Sequence, residues 1–304
     1  MAGVISTGNH PKLLWPGVAA TFGQEYKKHP LECEHLFDVK MSKKAHEEDV
    51  RITGFGLAPV KAEGGSTTYT SDTQADVTRY TNVAYSLGFI VTREEMDDNL
   101  YDVVGTRRAA GLAFSMRTTK EIVSANVLNR GFNAAYVGGD GKELFATDHP
   151  SNAGNQSNAL AIAADLSEAS LEDLLIQIMS ATNYEGLQIA IRGEKLIVPP
   201  AEAFNAERIL KSALRSGTDF NDLNAIRSMG LLPGGYVVNH YLTDADAWFI
   251  KTDAPNGMTM FKRTGMEFTK DNDFDTSNAK AKAYERYSVG WSDWLGAFGS
   301  AGAA

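Results

Sequence analysis

One proline-free stretch, from Thr92 to Arg130, constrains the fold of this chain more than any other part of its sequence. Its pattern predicts a single long helix that begins at Thr92, where Glu95 follows as a capping-box partner for the free amides of the first turn. Acidic residues crowd its first part and basic residues follow, which is the order that the helix dipole favours. At roughly 1.5 Å per residue, a helix over 93–130 is about 57 Å long, so we expect an elongated, flat subunit.

The same stretch allows a second interpretation, because its apolar residues drift around the helix instead of forming one stripe. Two ordinary helices could be separated by a break near Gly105 or Gly111, since an interior glycine costs about 1 kcal/mol against alanine. In both interpretations the segment is scaffold and carries no chemistry.

The composition is typical of globular proteins, since 43% of the 304 residues are hydrophobic and 22% are charged. The formal net charge of −9 argues against a protein whose main task is to neutralise nucleic-acid phosphates, because such proteins concentrate Lys and Arg. Cys33 is the single cysteine, so the chain can form neither an intrachain disulfide nor a thiolate zinc site. The sequence has no secretion signal and no apolar stretch of about 18 residues, so we expect a soluble chain without membrane contact.

The first third of the chain predicts an arm followed by a hairpin. Turn formers over 1–36 predict an N-terminal arm with one short helix, Val18 to Lys28, which either packs on a neighbour or frays. Strand signals then flank a polar, glycine-containing tip at Val60 to Ser71, and we expect the two sides to pair as a long hairpin over 51–91. An isolated two-stranded ribbon is marginal in water, so this hairpin needs a surface to lie on, and we favour another subunit.

Beyond the long helix, the chain alternates helix and strand patterns. Ser170 is a candidate cap for a helix, and the following region has an α+β pattern. Asn278 to Trp294 alternates with period two, which predicts a long strand that returns beside the long helix. We expect the Gly- and Ala-rich end, Gly299 to Ala304, to be loose.

No pattern in the sequence predicts catalysis or ion binding. Ser292 lies in a partial nucleophile elbow that lacks the second glycine and the following helix. The acidic run at 271–275 lacks the glycine and the glutamate that set the geometry of a calcium loop. The histidines never occur four residues apart, and Cys33 with His35 has no third group beside it. We therefore predict no catalytic residue, no metal and no cofactor.

Four motifs, in this order, carry a family resemblance. They are Phe89-Ile90-Val91-Thr92-Arg93-Glu94-Glu95 at the helix entry, Gly141-Lys142-Glu143-Leu144-Phe145 with Asp148-His149-Pro150 after it, Leu196-Ile197-Val198-Pro199 opening the second region, and Tyr284-Glu285-Arg286-Tyr287-Ser288-Val289-Gly290 near the end. Together with the order of arm, hairpin, long helix, α+β lobe and last strand, they make the chain resemble the Hong Kong 97-type major capsid protein of tailed bacteriophages. Within that family the chain most resembles the Mu-like major head subunit group.

The resemblance implies an α+β, Hong Kong 97-like capsid fold. Its divisions are an N-terminal arm at 1–36, the first part of a peripheral domain at 37–50, an extended loop at 51–91, the peripheral domain with its spine helix (93–130) at 92–185, an axial domain at 186–275, and a return strand with C-terminal tail at 276–304. The implied role is structural and not enzymatic: hexamers and pentamers assemble into an icosahedral shell around double-stranded DNA.

The resemblance also implies partners and a location. The partners are other copies of the chain, a portal protein, scaffold and cement or decoration proteins, and packaged DNA held by weak non-specific contact. The implied location is the capsid shell of the virion, after synthesis in the host bacterial cytoplasm. Two alternatives stay open: the shell protein of a cellular nanocompartment with the same fold and, from another class, a two-lobed small-molecule-binding protein or enzyme.

The hairpin tip is the candidate intersubunit contact under this resemblance, and the start of the long helix is its candidate cap. The tip residues are Lys61, Ala62, Glu63, Gly64, Gly65 and Tyr69, and the cap residues are Thr92 and Glu95. Some relatives cross-link a lysine to an asparagine, and Lys61 lies near the tip, but no motif marks it for this chemistry.

Overall fold

The computed structural model describes residues 11–28, 30–97, 101–214, 223–273, 275–276 and 278–303. Within these ranges the helices are α1 (Pro11–Lys27), α2 (Cys33–Leu36), α3 (Arg93–Asp97), α4 (Tyr101–Asn129), α5 (Glu168–Met179), α6 (Ala203–Lys211) and α7 (Ala225–Met229). The strands are β1 (Asp38–Met41), β2 (His46–Ile52), β3 (Gln74–Thr81), β4 (Val83–Val91), β5 (Gly193–Val198), β6 (Tyr236–Val238), β7 (Trp248–Thr252), β8 (Met258–Asn272), β9 (Ala279–Trp291) and β10 (Ala297–Ser300).

The first sheet has the strand order β1-β8-β9-β4, with α4 and α1 packed on one face. Strand β1 runs parallel to β8, whereas the β8–β9 and β9–β4 pairs are antiparallel. Alternate residues of β9 are buried, including Ala279, Ala281 and Ala283, which share a core with Ala109 and Ala113 of α4. Because these side chains are small, the helix can lie close to the sheet. The prediction that the last long strand returns beside the long helix is confirmed.

The predicted long helix is helical on both sides of residues 98–100. Helix α3 ends at Asp97 and α4 starts at Tyr101, and the predicted helical residues 98–100 lie outside the described ranges. Helix α4 passes Gly105 and Gly111 without interruption, so the interpretation with a break at either glycine is wrong. It ends at Asn129, one residue before the predicted end.

The predicted cap residues belong to the short helix α3. The Thr92 hydroxyl accepts a hydrogen bond from the Glu95 amide at 3.3 Å, as an N-cap does. The Glu95 carboxylate binds the Arg108 guanidinium of α4, with an Oε2–Nη1 distance of 2.9 Å. This contact links α3 to α4.

The predicted hairpin over 51–91 divides at Asn82. Strands β2 and β3 pair with each other as an antiparallel ribbon, whereas β4 leaves the ribbon and pairs with β9. The buried amide of Asn82 donates to Ser42 Oγ at 2.9 Å and to the Lys44 carbonyl at 3.0 Å, and it accepts from Ser288 Oγ at 3.1 Å. These long-range bonds hold the chain where it passes from the ribbon to the first sheet. The extended hairpin therefore covers 46–81.

The expected N-terminal arm is, in its described part, a docked helix. Val18 and Phe22 lie four residues apart on one face of α1, and both are buried in the core that α4 and the first sheet share. The Phe22 ring stacks on Phe268 of β8 with a centroid distance of 4.7 Å. This apolar face explains why the segment packs on its own chain. Residues 1–10 of the expected arm lie outside the described ranges.

The second sheet has the strand order β10-β7-β5-β6 and packs against α5. Two expectations fail here. Ser167 and not Ser170 is the N-cap of α5, and Ser170 completes the capping box from the third helical position. The resemblance implies an axial domain that extends to residue 275. However, β8 pairs along the length of β9 in the first sheet, and the second-sheet strands that precede it end at Thr252.

The C-terminal end is held in the second sheet, so the expectation of a loose tail is wrong. Strand β10 pairs antiparallel with β7, and all its residues are buried. At Gly299 a Cβ would lie 2.8 Å from the Phe249 ring, so glycine allows the strand to lie against that ring. The Ala303 amide donates to the Asp165 carboxylate at 2.7 Å, and Ala304 lies outside the described ranges.

Candidate functional site

The end of the β2–β3 hairpin is a long run of exposed residues. Thr53 and Thr73 close its base, because the Thr53 amide donates to the Thr73 carbonyl at 3.0 Å and the Thr73 amide donates to Thr53 Oγ1 at 3.0 Å. Every residue from 55 to 74 is exposed. At about 3.3 Å per residue, the chain from Thr53 to Ala62 can reach roughly 30 Å from that base. We call residues 54–72 the hairpin tip.

The structure places all six predicted contact residues on this exposed tip. They are Lys61, Ala62, Glu63, Gly64, Gly65 and Tyr69. Ala62, Glu63, Gly64 and Gly65 form a tight turn, because the Gly65 amide donates to the Ala62 carbonyl at 3.0 Å. Gly64 has a φ of 75°, a conformation that favours glycine, so the glycine pair has a local structural reason.

Four apolar side chains of the tip face solvent in the subunit. Leu57 is 83% exposed, Val60 is fully exposed, Tyr69 is 92% exposed and Phe55 is more than half exposed. Sequence reasoning did not select Phe55 or Leu57 and named Val60 only as the start of the tip, although the spacing of these residues in Gly54–Val60 is a signal that could have found them. Several apolar groups on one exposed segment are typical of a surface that another molecule covers.

The root of the hairpin is held by charge. The Arg51 guanidinium binds the Asp293 carboxylate near the C-terminal end and lies 3.5 Å from the Asp76 carboxylate of β3. Burial raises the pKa of Asp293 and of Asp76, and in each case Arg51 opposes the rise. Tyr80 adds a hydrogen bond of 2.7 Å between its hydroxyl oxygen and Ser292 Oγ. Ser292 therefore has a structural contact in the described chain, which fits its interpretation as structural.

The loop after α4 packs tightly against this root. A Cβ added at Gly139 would lie 2.9 Å from Thr78 Oγ1 and 3.1 Å from the Val77 carbonyl, so only glycine fits without a shift of β3. The next residue, Asp140, binds the buried ring of His149 through Oδ2 and Nδ1 at 2.6 Å. Burial favours a higher pKa for Asp140, but the bonds from His149 and from the Lys142 amide outweigh it and lower that pKa.

A second buried pair joins α1, α4 and β9. The Lys120 ammonium binds the Glu285 carboxylate, and both side chains are 3% exposed. The Tyr26 hydroxyl of α1 donates to the second Glu285 oxygen at 3.2 Å. This pair supports the scaffold beneath the first sheet and was not predicted from the sequence.

The described residues offer no metal site and no membrane span. Within the described ranges no group of three or more His, Cys, Asp or Glu side chains is placed to hold a metal ion. No helix in the same ranges is both long and apolar enough to cross a membrane. The arrangement of the hairpin instead has the features of a contact surface.

Comparisons with solved structures agree on the fold. A virus-like particle subunit from Pyrococcus furiosus is 13% identical, with 94% of this chain and 98% of that chain covered and a TM-score of 0.56. The capsid of a native GTA particle is 13% identical, with 100% and 93% covered and a TM-score of 0.54. The procapsid of bacteriophage JBD30 is 14% identical, with 97% and 76% covered and a TM-score of 0.52. A search of curated proteins gives no match.

These likenesses define the class: the chain has the α+β, Hong Kong 97-type capsid fold. The sequence model of the phage capsid protein family matches residues 75–299, which is most of the chain. The protein therefore belongs to the phage capsid protein family, as the resemblance predicts. It is a structural protein of a capsid shell, and shell formation requires it to associate with itself.

Proposed function

We propose that this chain is the major capsid protein of a tailed-bacteriophage head. Hexamers and pentamers of the chain form an icosahedral shell that encloses double-stranded DNA, and the hairpin tip of each subunit covers part of a neighbouring subunit. The observation that carries the proposal is the exposed tip with its apolar side chains, because several apolar groups held in solvent on one segment are typical of a surface that another molecule covers.

The net charge of the chain supports a role as a shell that encloses DNA without binding it tightly. With a formal net charge of −9, the subunit does not attract a polyanion strongly, so its contact with packaged DNA is weak and non-specific. The remaining partners in this proposal are a portal protein and, where the shell needs them, scaffold and cement or decoration proteins. The subunit is made in the host bacterial cytoplasm and ends in the virion.

The experiment shortens the tip. Replacing 55–72 by Asn-Gly removes the tip and leaves a three-residue loop, Gly54-Asn-Gly, between the paired Thr53 and Thr73. We expect subunits whose free energy of unfolding is close to wild type, because the replaced residues are exposed. We expect shells to be missing or fragile in electron microscopy and in heat-resistance assays. Normal yield and normal heat resistance of shells would contradict the proposal.

A matched pair of point variants tests whether assembly depends on the apolar side chains of the tip or on exposed apolar side chains in general. Leu57 on the tip is 83% exposed, and Ile162, away from the hairpin, is 85% exposed. We expect Leu57→Ser to lower the yield of shells and Ile162→Ser to leave it unchanged, with both subunits as stable as wild type. Equal effects of the two variants on assembly would remove the special role of the tip.

The content of the particle distinguishes the phage head from a nanocompartment shell. The fold likeness to a virus-like particle from Pyrococcus furiosus is compatible with either, because it shows fold alone. A phage head protects DNA from nuclease, whereas a nanocompartment holds a cargo protein. Nuclease-protected DNA of one length in the parent particle supports the head, and a protein cargo without such DNA contradicts it.

A further inference from the structure

One histidine is completely buried among polar groups beneath the root of the hairpin. His149 binds Asp140 through Nδ1 at 2.6 Å and Asn158 Oδ1 through Nε2 at 3.1 Å. Its ring also stacks on Trp294, with a centroid distance of 4.5 Å and an interplanar angle of 6°. Neither the family nor the function proposed above gives this histidine a task.

The orientation of Asn158 determines which ring nitrogen carries a proton. Asn158 Nδ2 lies 2.7, 3.2 and 2.9 Å from the backbone carbonyls of Leu144, Trp294 and Ala297, so these acceptors require the amide nitrogen on that side. Asn158 Oδ1 correspondingly accepts from the Ala146 amide at 3.0 Å. The same oxygen faces His149 Nε2, and an amide oxygen can only accept. His149 Nε2 must therefore be protonated.

The other ring nitrogen faces a carboxylate. Asp140 also accepts the Lys142 amide through Oδ1 at 3.1 Å, and this bond together with the nearby Arg51 charge favours the ionised carboxylate. An ionised carboxylate has no proton to donate, so Nδ1 must donate to it. With both nitrogens donating, His149 is an imidazolium, and its charge lies flat against the indole of Trp294, where a cation is favourable.

The root of the hairpin carries more acidic than basic side chains, and a cation at His149 reduces that excess. Asp76 interacts electrostatically with Asp140, so three carboxylates from β3, the loop after α4 and the C-terminal end converge below the ribbon. Arg51 of β2 supplies one cation. A neutral His149 would leave Asp140 buried without an opposite charge in contact, which is unfavourable at low dielectric constant.

We propose that His149, held as an imidazolium between Asp140 and Asn158, is a positioning residue that fixes the root of the β2–β3 hairpin through the Asp140 loop. The charged groups that take part are Arg51 on β2, Asp76 on β3, Asp140 and His149 on the loop, and Asp293 at the C-terminal end. Through Gly139, which lies against Thr78, the loop transmits the position of His149 to β3. That a fixed hairpin root aids shell assembly rests on the function proposed above.

The first test reads the protonation state directly. Full-length protein labelled with ¹⁵N-histidine is examined by NMR at neutral pH, and His149 is assigned by the signal that disappears in His149→Gln. We expect both ring nitrogens of His149 to give the protonated type of signal. A signal from one unprotonated ring nitrogen would overturn the proposal.

The second test removes the charge partner and keeps its shape. Asp140→Asn should abolish the imidazolium signal and speed amide hydrogen exchange in β2 and β3 by about tenfold or more, since hydrogen bonds to charged groups are among the stronger ones. Asp148→Asn is the matched control, because Asp148 lies on the same loop and binds Lys142 at the surface. Unchanged exchange in Asp140→Asn, or equal acceleration in both variants, would overturn the positioning role.

Assembly is measured separately on the same variants, so the two proposals can fail independently. Faster exchange together with poor assembly in Asp140→Asn supports both proposals. Faster exchange with normal yield of shells supports the positioning of the hairpin by His149 and contradicts the role of the hairpin in assembly.

Discussion

Loss of the Lys120 ammonium should destabilise the subunit strongly. The Lys120–Glu285 pair is almost fully buried, and Tyr26 is the other side chain that hydrogen-bonds this carboxylate in the described chain. Lys120→Met keeps most of the apolar stem but leaves the charge of Glu285 uncompensated. Breaking a buried ion pair in this way costs about 3–5 kcal/mol of the free energy of unfolding.

Removing both charges should cost much less. In Lys120→Met with Glu285→Met, no charge remains buried, and such replacements by apolar side chains are often close to neutral. The Tyr26 hydroxyl then loses its acceptor, which costs about 1–3 kcal/mol if it stays unsatisfied. We therefore expect the double variant to be more stable than Lys120→Met.

The assay is urea unfolding of unassembled subunits, followed by tryptophan fluorescence. Lys280→Met is the matched control, because the Lys280–Asp273 pair also involves β9 but lies in a more exposed position. We expect the control to change the free energy of unfolding by about 1 kcal/mol or less. A Lys120→Met subunit within about 1 kcal/mol of wild type, or a double variant less stable than the single one, would refute this reasoning.

Three further predictions follow from the packing. Gly88→Ala should cost about 1–3 kcal/mol in urea unfolding, because its Cβ would lie 2.6 Å from the Ala281 carbonyl and force β4 from β9. Deletion of 297–304 should destabilise the subunit and raise proteolysis near the freed edge of β7, whereas a loose tail could be removed without effect. Burial raises the pKa of the Glu121 carboxyl, although hydrogen bonds from the Cys33 and Glu32 amides oppose the rise. The folded subunit therefore holds this proton more tightly than the unfolded chain, and it loses stability as the pH rises through the folded-state pKa. Urea unfolding should then show wild type losing stability relative to Glu121→Gln between pH 4 and neutral pH, and a gain would contradict the sign.

Much of the fold could be predicted because its signals are local. Helix α4 is free of proline, and β9 alternates buried alanines with charged residues, so their type follows from periodicity. The exposed tip follows from its glycines and polar residues, and the order of the elements was enough to indicate the family. Periodicity and turn chemistry act between residues a few positions apart, so a single sequence contains them in full.

The rest was decided by contacts between distant parts of the chain. The alternating strand pattern continues through residue 82 without a break in the sequence. Only the buried hydrogen bonds of Asn82 separate β3, which pairs with β2, from β4, which pairs with β9. The composition of the glycine- and alanine-rich end predicts a loose tail, but its pairing with β7 orders it as a strand.

The cluster beneath the hairpin is the clearest case of this limit. Arg51, Asp140, His149 and Asp293 are separated by up to 242 positions, and each is unremarkable in its own segment. Local sequence alone determined that this protein is built from a long helix, an exposed hairpin and a long return strand. Tertiary structure decided which charges are buried together, because the energy of a charge depends on its surroundings in space and not on its neighbours along the chain.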